Sequence, residues 1–123
     1  MNKIVDFTDL TVWQKAHQLV IYIYKITKAF PKFETLGLAS QMQRAAVSVT
    51  SNIAEGFVRR SKKEKLQFYY TSLASLSELR NQLFITKDLN YINSQTFTVT
   101  EGQIVEVRKI LNGFIKSSSS YNN

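Results

Sequence analysis

Arg59, Arg60, Lys62, Lys63 and Lys65 set five cations within seven residues, just ahead of the aromatics Phe68, Tyr69 and Tyr70. That order suits a phosphate polymer. Guanidinium and ammonium groups neutralise an anionic backbone, and a nearby ring can stack on a base. From Phe57 to Tyr70 the chain carries five bases and one acid, Glu64, so +4 of the net +7 sits there and the other 109 residues share +3. Ser61-Lys62-Lys63-Glu64 reads as a capping box, which starts a helix at Ser61. Cations are disfavoured at a helix N-terminus, where the macrodipole is already positive. Bases crowded around free amides at such an end describe an anion site. The competing account is a solvated bend between two helices, with Glu64 offsetting part of the charge. Tyr69 falls on a core stripe, which leaves Tyr70 as the ring free to stack.

Other chemistries lack their residues. The chain has no cysteine, which excludes disulfides, thiolate metal sites and cysteine nucleophiles. His17 is the only histidine, and Gln14 and Val20 stand three residues before and after it, so the Glu-x-x-His pairs of carboxylate-bridged metal bundles are missing. No serine lies in a nucleophile-elbow context, and Gly56 and Gly102 lack the company of a phosphate loop. No catalytic residue, metal or cofactor is therefore expected, and His17 reads as packing or interface. Arg44, Ser48, Ser51, Asn52 and Glu55 recur at three- to four-residue steps. They form a polar seam along one helix, either satisfied structurally or open to a small polar ligand.

Four helices must position these groups. Apolar spacing is helical almost throughout, and the one proline, Pro31, punctuates it. The first helix is expected from Asp9, as N-cap, to Ala29, with Val12, Ala16, Leu19, Ile23, Ile26 and Phe30 inward. The second runs from Gly37 to Phe57, with Leu38, Met42, Ala45, Val49, Ile53 and Phe57 inward. The third starts at Ser61, buries Leu66, Tyr69, Leu73, Leu76 and Leu83, and ends near Asn90 in the left-handed conformation. The fourth spans Thr96 to Lys116, with Phe97, Ile104, Val107, Leu111 and Phe114 inward. These predict an all-α, antiparallel up-down-up-down four-helix bundle over residues 1–116, followed by a disordered tail at 117–123.

Two helices carry a second apolar stripe. On the first it comprises Leu10, Gln14, His17 and Ile21, bordered by Trp13 and Tyr24; on the third it comprises Phe68, Ser72, Ser75 and Leu79. A thick core would absorb both stripes. Self-association through Leu10, Trp13, His17, Ile21, Phe68 and Leu79 is the reading adopted, because monomers rarely leave such patches wet. Asp6 and Asp9 interrupt the place a signal peptide would need apolar, and no apolar run approaches a membrane span. A cytoplasmic protein without membrane contact is expected.

The stretches DLTVWQKAHQLV (Asp9–Val20), FPKFETLGLASQMQRAAVSVTSNIAEG (Phe30–Gly56) and RRSKKEKLQFYYTSLASLSEL (Arg59–Leu79) resemble the four-helix bundle proteins of the 23S rRNA intervening-sequence family. The resemblance implies a bacterial homopentameric ring without established catalytic residues. It also implies kinship with retroelement accessory bundles, which bind nucleic acid through a basic surface. Ribosomal RNA or a reverse-transcriptase complex are the partners it suggests. The chain departs from the family where Thr50 replaces a usual proline and where a second glycine near Phe57–Val58 is absent. Arg80 stands where an acid is common, which is expected to add to the positive field. The functional expectation is an oligomeric bundle that binds nucleic acid, RNA first, at the corner between helices two and three. The alternative is an oligomeric adaptor that binds protein.

Overall fold

The computed structural model describes residues 3–120. It holds four α-helices: α1 (Thr11–Thr27), α2 (Leu38–Phe57), α3 (Lys62–Asp88) and α4 (Ser94–Ser120). Short 3₁₀ turns at Phe7–Asp9 and Lys32–Glu34 precede α1 and α2. Each helix packs on its neighbour in sequence, and α4 closes back on α1, as an up-down-up-down bundle requires. Ties between partners confirm the antiparallel sense. Ser72 Oγ donates to the Val49 carbonyl across α2–α3 at 2.8 Å, and Arg80 meets Glu101 across α3–α4 at 3.0 Å.

The expected core stripes face inward. Ala16, Ile23, Met42, Ile53, Leu83 and Leu111 are fully enclosed, while Phe57, Leu66, Leu73 and Phe114 pack half-buried at the margin. α3 is the exception in kind, because its second stripe is also used inside the subunit. Ser72, Ser75 and Leu79 are buried against α2, which makes the broadest helix–helix contact in the molecule. Small side chains let the backbones approach, and their hydroxyls then need partners. Ser75 Oγ finds Ser48 Oγ at 2.8 Å, and Ser72 finds the Val49 carbonyl. Gly56 extends this close contact, since a Cβ there would lie 2.6 Å from the Tyr69 ring and 2.9 Å from Phe68 Cβ.

The helix ends correct several expectations. Asp9 does not cap α1; Leu10 holds that position without a side-chain cap. The Asp9 carboxylate is spent one turn earlier, accepting from the amides of Val5 (3.0 Å) and Asp6 (2.9 Å), and those bonds hold its pKa below the usual aspartate value. α1 ends at Thr27, before Ala29, where Thr27 Oγ1 turns back onto the Ile23 carbonyl at 2.8 Å. α2 begins after Gly37, which has no side chain to cap it, so Glu34 reaches over and accepts from the Leu38 amide at 3.0 Å. α2 runs unbroken through Thr50, and the α2–α3 turn needs no glycine, because Asn90 (φ 61°) is the only described non-glycine residue with positive φ. Asn90 closes α3 as expected, with Tyr91 N to Thr86 O at 3.0 Å and Asn90 N to Lys87 O at 2.9 Å. Asn93 starts α4 earlier than Thr96 by accepting from the Thr96 amide at 2.7 Å. α4 also continues past Lys116, so Ser117–Ser120 are helical and not tail, while residues 121–123 lie outside the described residues. No helix among the described residues is long and apolar enough to cross a membrane.

Candidate nucleic-acid interface

The five cations share one corner but not one environment. Arg59 donates to Glu55 Oε2 at 2.8 Å, one helical turn back, and its guanidinium carbon sits 4.6 Å from the centroid of the Phe68 ring. Lys65 turns inward. Its Nζ donates to the Phe57 carbonyl at 2.6 Å, satisfying an orphan acceptor at the end of α2, and partial burial lowers its pKa from the ordinary lysine value. Lys62 reaches the far end of α4, where Nζ donates to the Ser119 carbonyl at 3.1 Å. A cation suits that C-terminus, and the contact explains why the serine-rich segment stays helical. Arg60 and Lys63 are exposed. Neither joins the ion pairs of the described residues, which are Lys15–Glu106, Arg59–Glu55 and Arg80–Glu101.

Of the five cations, Arg59 forms an ion pair among the described residues, and Lys65 is held by a neutral carbonyl, which satisfies a donor without cancelling its charge. Ser61 caps α3 by accepting from the Glu64 amide at 3.1 Å. Glu64 does not return to the Ser61 amide as a full capping box would; its Oε1 takes the Ser61 hydroxyl instead, also at 3.1 Å. That carboxylate is thereby held at the turn. Tyr70 is exposed and Tyr69 is core, as expected, and burial pushes the Tyr69 hydroxyl up to about 12.

The polar seam is largely satisfied within the subunit. Asn52 Nδ2 donates to the Ser48 carbonyl at 2.8 Å and to Ser48 Oγ at 3.0 Å, Ser48 meets Ser75, and Glu55 holds Arg59. Ser51 faces solvent, and Arg44 opens onto a groove of about 480 Å³ that includes Leu36 and Glu78. Arg80 corrects the expectation of added positive field, because Glu101 accepts from both its Nε (3.2 Å) and Nη2 (3.0 Å).

The proposed interface residues differ in burial. Leu10 and Leu79 are buried by the subunit itself and offer nothing to a neighbour. Phe68 is half-buried under Arg59. On α1, His17 is exposed and stacks on half-buried Trp13 at 4.7 Å, and Ile21 beside it is 58% exposed. Among the described residues, no three metal-ligating side chains come together. The contact of Arg59 with Phe68 was not legible in the sequence, because a bend separates the two residues and no helical spacing relates them.

The family model described as 23S rRNA-intervening sequence protein matches residues 8–113. The chain belongs to that family. Among solved structures it is similar to a protein with unknown function from the S23 ribosomal protein family of Bacteroides thetaiotaomicron VPI-5482. The TM-score is 0.80 at 20% identity, covering 86% of this chain and 99% of that one. At that identity the likeness shows the shared fold. No curated protein matches the chain.

Proposed function

We propose that this family member is a non-catalytic homo-oligomer that binds nucleic acid, RNA first, through the α2–α3 corner. The observation that carries the reading is the exposure of Arg60 and Lys63 at the bend, neither of which joins an ion pair among the described residues. Two free cations on one subunit would bind weakly. Repetition around an oligomer multiplies phosphate contacts, and each contact releases counterions. Exposed His17, Ile21 and Tyr24 with half-buried Trp13 on α1 support self-association. A ring of five is the assembly that the family resemblance implies. Ribosomal RNA or a reverse-transcriptase complex would be the partner in that setting.

A protein-binding adaptor is the second reading. Phe33 (78% exposed) and Leu36 (92%) favour it, because they stand out from the α1–α2 connection at the opposite end of α2. Gel-shift titration of a structured RNA with Arg60→Glu/Lys63→Glu decides between them. Loss of most of the affinity with unchanged helicity supports the nucleic-acid reading, and unaltered binding, or none by the parent protein, hands the function to the adaptor.

A further inference from the structure

We propose that Arg59, stacked on Phe68, is a preorganised platform for an unpaired nucleobase, which makes the corner a single-strand site. The inference rests on the nucleic-acid reading above and narrows its ligand. Arginine normally loses much rotamer freedom when it binds, but here the cost is met before a ligand arrives. Glu55 fixes one edge of the guanidinium at 2.8 Å and the Phe68 ring supports it at 4.6 Å. An exposed ion pair of this kind stabilises a fold little, so its structural consequence is mainly orientation. The side chain still keeps 39% of its surface open to solvent. Guanidinium planes stack on unpaired bases much as aromatic rings do.

The surroundings supply what a splayed nucleotide needs. Beside the platform lies a shallow cleft of about 230 Å³ lined by Asn52, Gln67, Phe68 and Thr71. The Asn52 amide nitrogen is already engaged with Ser48, which leaves its oxygen as an acceptor at the cleft. Gln67 is exposed and its side-chain amide makes no hydrogen bond among the described residues, so it offers both a donor and an acceptor to a base edge. Arg60 and Lys63 flank the same bend and can take the adjoining phosphates. A duplex keeps its base faces covered and presents only its backbone, so it engages the cations alone.

Fluorescence anisotropy with a 5′-labelled single-stranded RNA and the matched RNA duplex at one salt concentration tests the platform. One stacked base is worth roughly a factor of ten, so the single strand should bind about tenfold more tightly. Arg59→Lys keeps the charge and the reach to Glu55 but removes the plane. It should lower the single-strand preference to below about twofold. A single strand carrying 2-aminopurine should brighten on the parent protein, because the base leaves the quenching stack of its own strand, and much less on Arg59→Lys. Equal affinity of the parent for both forms, or a preference and a brightening that survive in Arg59→Lys, overturns the platform and leaves the nucleic-acid reading standing. Failure of the parent to bind either form overturns both.

Discussion

Single atoms set the tolerance of the α2–α3 contact. Gly56 carries no side chain because the Tyr69 ring and Phe68 occupy its place, with Tyr69 Cε1 at 2.6 Å from where a Cβ would stand. Neither neighbour is a flexible tip, so Gly56→Ala must push the helices apart, and a loss of about 1–3 kcal/mol is expected in urea unfolding. Gly102 on α4 has nothing within 4 Å of its added Cβ, and Gly102→Ala should stabilise by roughly 0.5–1 kcal/mol through helix propensity alone. Tyr69 makes a second prediction. Its hydroxyl titrates at about 12 in the fold against 10.0 unfolded, so its contribution is complete below pH 10.0. As pH rises beyond that, the unfolded state loses the proton first, and stability falls until the folded value is passed. The full span corresponds to on the order of 2–3 kcal/mol. Tyr69→Phe should remove that alkaline decline, measured as the difference in unfolding free energy between variant and parent along the pH series.

At the scale of helices, the buried faces were readable because a 3.6-residue period leaves few choices. Ala16, Ile23, Met42, Val49, Leu76 and Leu111 are inside as their spacing required. Stops and starts built from local chemistry were readable as well, such as the Ser61 cap and left-handed Asn90. What escaped was decided by partners distant in sequence. Ser72 and Ser75 look like a surface stripe until α2 supplies their hydrogen bonds, and the serines after Lys116 look frayed until Lys62 meets Ser119. Glu34 is a further case. It caps α2 for Gly37 and also accepts from Tyr91 Oη at 2.8 Å, so one carboxylate ties both loops at that end. Those bonds, the Leu38 amide first, hold its pKa below 4.5. A depressed carboxyl contributes stability above its unfolded value and loses it as pH falls through the folded one. Glu34→Gln should therefore be less stable than the parent at neutral pH, with the gap closing in acid, as followed by urea midpoints.

For the molecule as a whole, strong binding by the proposed corner would require assembly and a shared basic surface. The α1 face around Ile21 is apolar ground that the subunit does not cover, and the proposed assembly would use it. Light scattering at micromolar concentration should give the mass of about five subunits. Ile21→Asp should lower that mass while the circular dichroism of the helices is kept, since Ile21 stands mostly exposed on its own subunit. A parent protein of monomer mass would remove the repetition on which strong binding depends. Of the candidate site, the sequence displayed the charge but not its division. That Arg59, Lys62 and Lys65 fasten the corner while Arg60 and Lys63 are left to solvent follows only from where Glu55, Ser119 and Phe57 lie. The central claim is that those cations meet phosphates, and a salt titration of RNA affinity tests it most directly. If two neighbouring subunits each supply about three contacts, log K should fall against log salt with a slope of roughly −4 to −5. Arg60→Glu/Lys63→Glu should flatten that slope without lowering thermal stability, because solvated charges contribute little to folding. A slope near zero in the parent, or one that the double variant leaves unchanged, would contradict the account.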